Sequence, residues 1–312
     1  MTDEKQQELK NLLVSTDFKV ENYDKLSMQE LIVLKNSAAT TRAKNLQVEK
    51  TALFFGKREE FFQFAILRRL QKMETMYVIF ARVTNLPYVY CDPDTCNDQV
   101  WLFSDETLAK VAAGAEQKNH RQLGIIKLEN KQFLSFYMNL YSMGVNELLI
   151  DRGANTIALP LEKLVKKPDY SQMPVEKQPI MNPELLLTAI YFAQDRALPE
   201  ESRDMQHLHE LEEEMLVNLD RGRLLMPVQV PEGSEQVQTK DLKMPIVKLE
   251  NGDAYQPICT DAAELQKFNR GKTFRAIPIN AEKLKSYLNK DTKGVILNPA
   301  SVRLIIPREK LG

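Results

Sequence analysis

Gly294-Val-Ile-Leu-Asn-Pro-Ala-Ser-Val-Arg-Leu-Ile-Ile-Pro-Arg-Glu-Lys-Leu-Gly312 reads as a strand, an Asn298-Pro299 turn, a second strand and a helical turn led by Pro307. The phrase has an earlier counterpart, Gly144-Val-Asn-Glu-Leu-Leu-Ile-Asp-Arg-Gly-Ala-Asn-Thr-Ile-Ala-Leu-Pro-Leu-Glu-Lys-Leu164. Pro160-x-Glu-Lys-Leu164 corresponds to Pro307-x-Glu-Lys-Leu311, and Ile150-Asp151 to Leu297-Asn298. The spacing is 147 positions, and Tyr77–Val83 and Leu224–Val230 are separated by the same interval. A period this long is a domain duplication rather than a solenoid repeat.

Working outward, Met244-Pro-Ile-Val247 echoes Leu86-Pro-Tyr-Val89, and Ile258-Cys-Thr-Asp261 echoes Leu102-Phe-Ser-Asp105. Ala276–Tyr287 likewise follows the pattern of Ile125–Phe136. The predicted fold class is α+β: two tandem repeats of a mixed sheet packed with helices, preceded by helical segments.

Leu9, Leu12 and Leu13 predict an amphipathic helix over 4–14, and Ser27-x-x-Glu30 a capping box opening a helix to about Gln47. A further helix is expected from Lys57 through Met73. Four prolines between 166 and 183 cannot continue a helix or a central strand. The expected organisation is an N-terminal helical extension (1–26), a first repeat (27–165), a Pro-rich linker (166–182) and a second repeat (183–312). Asn182-Pro183 reads as a helix cap followed by proline at the first helical position.

The second unit resembles the N-terminal domain of SseB-family proteins. The likeness rests on Met244-Pro-Ile-Val, on Asp253-Ala-Tyr-Gln-Pro-Ile-Cys-Thr-Asp261 and on Gly294-Val-Ile-Leu-Asn-Pro-Ala-Ser301. It covers about residues 205–311, with 60–165 as a divergent copy. This chain departs by Cys259 where the family has Phe and by Ala300 where it has Gly; the first unit has Asp151-Arg-Gly in place of Asn-Pro. The resemblance implies the fold and carries over no catalytic residue.

The composition is that of a globular chain: 42 Lys and Arg against 43 Asp and Glu give a net charge of −1. That balance argues against non-specific nucleic-acid binding without excluding one basic face. No apolar run is long enough for a membrane span, and the polar start lacks a secretory signal pattern. Three cysteines are too few for a disulfide framework, so a cytoplasmic location is expected.

Candidate chemistry is sparse. His207 and His209 lie two apart on a predicted helix, whereas helical zinc pairs stand four apart. Cys91 and Cys96 have no second ligand pair, and the Asp92, Asp94, Asp98 loop misses the calcium pattern at Cys96, Asn97 and Phe103. His120 sits in a polar loop. No glycine-rich phosphate loop can be traced. No catalytic residue, metal or cofactor is therefore expected. Trp101 is a core residue or, if exposed, an anchor for a partner, and Asp92 and Asp94 are the other candidate partner contacts. These readings favour a non-enzymatic interaction, adaptor or regulatory protein with protein partners. The competing reading is an enzyme of unrecognised type, with a cleft between the repeats lined by Asp or Cys. A third is a regulator whose residues 4–14 dock on a partner.

Overall fold

The computed structural model describes residues 2–229 and 243–312, so Val230, the expected last residue of its strand, lies outside the described residues. The fold is α+β. It opens with α1 (Asp3–Val14), α2 (Met28–Lys44) and α3 (Glu49–Lys72). Ser27 and Glu30 form the reciprocal capping box at the start of α2. Helix α3 begins eight residues earlier than the sequence suggests. Its apolar rhythm runs through Gly56, where an added Cβ would touch only the Arg42 side chain, at 3.6 Å.

Helix α1 is docked on its own chain. Leu9 is buried, Lys5 pairs with Glu30 at 3.0 Å, and Arg58 from α3, fully buried, grips the end of the helix. The Arg58 guanidinium donates to the carbonyls of Leu12, Leu13 and Asp17 and to the Tyr23 hydroxyl. The rings of Phe18, Tyr23, Phe61 and Phe62 surround it. These contacts oppose the reading in which residues 4–14 are a free docking helix.

The first sheet contains β1 (Thr75–Ala81), β2 (Leu86–Pro87), β3 (Val89–Cys91), β4 (Asp98–Phe103), β5 (Leu123–Glu129), β6 (Glu147–Ile150) and β7 (Ile157–Pro160). Antiparallel β1 lies between β5 and β4; β4 runs parallel to β6, and β6 antiparallel to β7. Side chains alternate between faces, so Val100 and Leu102 enter the main core while Trp101 and Phe103 face the other way. Helix α4 (Glu106–Gln117), capped by Asp105, covers that second face with Ala109 and Ala112. Both faces are closed, which is why β4 reads as a continuous apolar run. Helix α5 (Asn130–Ser142) adds Phe133, Tyr137 and Leu140 to the main core.

Residues 166–182 hold one short 3-10 turn, Val175–Lys177, and are mostly exposed. Beyond them come α6 (Pro183–Arg196), α7 (Met205–Asp220), β8 (Arg223–Val228), β9 (Val247–Lys248), β10 (Ala254–Ile258), α8 (Ala262–Phe268), β11 (Arg275–Asn280), α9 (Leu284–Tyr287), β12 (Gly294–Leu297) and β13 (Leu304–Pro307). Antiparallel β8 pairs with β11, and the Leu225–Cys259 bridge joins β8 to the end of β10. β10 runs parallel to β12, and β12 antiparallel to β13. Short 3-10 turns, Leu161–Lys163 and Arg308–Lys310, follow β7 and β13.

Asn182 does not cap α6 with its side chain. Its amide instead donates to the Arg223 and Thr260 carbonyls, at 2.9 and 2.6 Å, and ties the helix start to the second group of strands. The far end of α6 packs on the first sheet. Gln194 bonds both the N–H and the C=O of Val89, and the Tyr191 hydroxyl donates to Asp98 at 2.6 Å. Gly144 lies against the start of the same helix, where a Cβ would stand 3.0 Å from Leu187 Cβ and from the Pro183 carbonyl. One buried cluster accordingly runs from Leu31 and Leu102 through Ile190 to Ile258 and Leu297.

Candidate functional site: a basic cleft

Trp101, a candidate anchor, has no exposed surface and packs edge-on against Tyr88 at 5.2 Å, with Arg152 stacked 4.0 Å from its ring. It belongs to the core, because β4 is covered on both faces. Asp92 turns its carboxylate inward onto the loop. Its Oδ1 accepts the Asp94 and Thr95 N–H groups at 2.9 and 3.0 Å, and backbone donation from Thr95 holds its pKa below the usual carboxylate range. Asp94 is exposed at the tip of the same loop.

His207 and His209 approach different acids, Asp195 at 3.5 Å and Glu213 at 3.3 Å. Cys91 and Cys96 are exposed and unpaired; Cys259 is buried, which pushes its thiol well up. Among the described residues no group of three or more His, Cys, Asp or Glu is placed to hold a metal.

A cleft of about 990 Å³ lies where the first sheet meets the α6–α7 connection. Arg82 comes from the β1–β2 turn, Lys110 from α4, His120 and Arg121 from the loop before β5, and Arg203 from the segment preceding α7. Next to it lies a smaller pocket of about 200 Å³ with Val83, Tyr88, Leu123 and Ala197 in its wall. None of the described residues lining either cavity is Asp, Glu or Cys. The enzyme reading expected Asp or Cys along its cleft; the described lining of this one offers arginine and lysine instead.

The four cations differ in what they already hold. Lys110 pairs with Glu106 at 2.7 Å. Arg121 is committed to structure: one terminal nitrogen donates to the Gln194 carbonyl at 2.9 Å, and the other meets Asp195 at 2.6 Å. Arg82 and Arg203 spend only Nε, on the Leu123 carbonyl at 3.2 Å and the Leu198 carbonyl at 2.7 Å. Among the described residues neither has an acidic partner, so each presents its terminal nitrogens from an anchored guanidinium. Tyr88 supplies a neutral hydroxyl, since burial pushes its pKa up to about 12.

Sequence reasoning missed this site. Its residues are scattered from Arg82 to Arg203, and only the Lys118-Asn-His-Arg121 run hinted at it. His120, expected to be solvated, is exposed at the rim.

Fold and cleft together define an α+β protein with a groove complementary to negative charge. Residues 201–312, about a third of the chain, match the family model of the SseB protein N-terminal domain. No curated protein and no solved structure matches the chain. Among the described residues no helix is long and apolar enough to cross a membrane.

Proposed function

We propose that the protein is a non-enzymatic interaction protein of the cytoplasm, built from two SseB-like units in tandem, which recruits a protein partner through the basic cleft between them. The observation that carries this reading is the pair of anchored guanidinium groups, Arg82 and Arg203, which line the same cleft and have no acidic partner among the described residues. Arg82 is exposed and Arg203 half-buried, so both guanidinium groups are accessible, and cations without acidic neighbours leave the groove complementary to an anionic ligand. Among the described residues the lining offers no carboxylate or thiol to serve beside His120 as a second catalytic group, which favours binding over chemistry.

The duplication is supported by matching ladders. β6–β7 joins Glu147 to Pro160 and Ile150 to Ile157; β12–β13 joins Gly294 to Pro307 and Leu297 to Leu304. The corners match as well. Asp151 and Asn298 both have positive φ, of 56 and 46°, and each accepts the N–H of the hydroxyl residue after the neighbouring strand. These bonds are Ser104 N–H to Asp151 at 2.7 Å and Thr260 N–H to Asn298 at 2.9 Å. Tyr77 lies opposite Phe103 and Leu225 opposite Cys259, so Tyr77 corresponds to Leu225, one residue beyond the sequence alignment with Leu224. The shift puts Val78 and Met226 on equivalent core positions. The cytoplasmic assignment is supported by two exposed cysteines, Cys91 and Cys96, left unpaired in one loop.

The test is quantitative cross-linking and mass spectrometry of the tagged full chain in its native cells. Proteins captured by the wild type should be lost from the double charge reversal Arg82→Glu, Arg203→Glu, and kept by a remote Lys272→Glu control. An unchanged partner set in the reversed variant refutes the cleft as the recruiting surface.

A further inference from the structure

We infer that the cleft takes an acidic linear segment of a partner protein, with carboxylates on Arg82 and Arg203 and one aliphatic side chain seated in the adjoining pocket beside Tyr88. This rests on the proposed binding role and specifies its ligand.

Three observations lead to that class. The first is charge segregation. In a chain whose cations and acids nearly balance, the cleft wall gathers four Lys and Arg side chains and no acid among its described residues. The second is donor geometry. With Nε fixed on a backbone carbonyl, each of Arg82 and Arg203 keeps its terminal nitrogens, the part of the fork that meets carboxylate oxygens. The two arginines come from different segments, which suits charges spread along a chain.

The third is the juxtaposition of polar and apolar parts. The pocket of about 200 Å³ sets Val83, Tyr88, Leu123 and Ala197 beside Arg82 and Arg121 in one wall, room for one aliphatic side chain next to the cations. Arginine forks bind phosphate too, but a helix N-terminus, which would favour a compact phosphate further, is not what α4 presents here. The helix end at this cleft is the C-terminal one of α4, through Gly114 and Gln117, the negative end of its dipole. An extended peptide can keep its carboxylates on the arginines and away from that end. Nucleic acid would meet the same unfavourable end with a phosphate at every step.

The test uses the full chain and a fluorescein-labelled synthetic peptide, Glu-Asp-Glu-Leu-Asp-Glu, read by fluorescence anisotropy at low and moderate salt. The expected result is saturable binding that weakens with salt, as for a few exposed ion pairs. It should fall about tenfold in each of Arg82→Gln and Arg203→Gln, the loss of one charge-assisted pair. Replacing the peptide leucine by serine should weaken binding by a factor of about ten or more, the worth of one side chain's apolar burial. Circular dichroism melts keep a folding defect separate from lost affinity.

Equal binding of hexaglutamate overturns the apolar subsite. Preferential binding of inorganic phosphate, tripolyphosphate or a single-stranded oligonucleotide, still dependent on Arg82 and Arg203, overturns the peptide assignment and leaves the cleft as an anion site. Binding of none of these probes, or binding indifferent to both arginines, overturns the proposed function along with the inference.

Discussion

Replacing Arg58 by methionine tests how the N-terminal segment is held. Arg58 is fully buried and donates to Leu12 O at 2.5 Å, Asp17 O at 2.7 Å, Tyr23 Oη at 2.8 Å and Leu13 O at 3.3 Å. Methionine approximates the length of the stem and suits the aromatic surroundings, but it removes every donor. Each hydrogen bond from a charged donor contributes about 1.5–3 kcal/mol net, and breaking a buried charged network costs about 3–5 kcal/mol. The loss has a ceiling. Leu9 is the sole fully buried residue of α1, so the helix can detach and let water reach the orphaned carbonyls. The expected cost of Arg58→Met is therefore about 3 kcal/mol, seen first as local opening. Hydrogen exchange read by mass spectrometry should show residues 3–24 losing protection while β4 and β6 keep theirs. Urea denaturation should give a lowered midpoint. Arg58→Lys should fall between the two, since one ammonium cannot reach four acceptors. Unchanged exchange in α1, with stability within roughly 0.5 kcal/mol of wild type, would refute the clamp.

Asp151→Ala should cost about 3–5 kcal/mol in urea denaturation. It leaves the part-buried Ser104 N–H without its acceptor and forces alanine into a left-handed backbone. Asp151→Asn should stay within roughly 1.5 kcal/mol of wild type, because Asn298 does the same work at the other corner. Burial raises the Asp151 pKa above 3.8, so the folded state binds the proton more tightly than the unfolded chain. Wild-type stability relative to Asp151→Asn should then fall as pH rises from 3.8 through the raised value, and a gap independent of pH would contradict this. Gly294→Ala should cost about 2–4 kcal/mol, since a Cβ would overlap the Ile306 carbonyl and stand 2.9 Å from Pro307 Cα; a melting temperature equal to wild type would show that β12 and β13 separate freely. Limited proteolysis should cut first within residues 166–182, which are exposed and nearly devoid of regular hydrogen bonding; earlier cleavage within β1–β7 would contradict the pattern.

Local chemistry made much of the fold legible. The Ser27-x-x-Glu30 box, the aspartates opening α4 and α8, and the strand–turn–strand phrases at 144–164 and 294–312 act through near neighbours, so spacing reveals them. So too does the Pro-rich character of 166–182. The repeated order of strand and helix patterns carried the α+β class. By contrast, the face taken by Trp101 depended on α4 lying over it, the burial of Arg58 on α1 and four rings meeting around it, and the Asn182 contacts on carbonyls far along the chain. The one-residue shift between β1 and β8 was hidden because both strands are apolar at nearly every position. The cleft was least legible. Arg82 and Arg203 are ordinary surface arginines in sequence, and they become a site only when the chain brings their segments together without an acid between them. Sequence determined the elements because their hydrogen bonds and caps are short-range; tertiary packing decided the site because uncompensated charge is a property of neighbours in space.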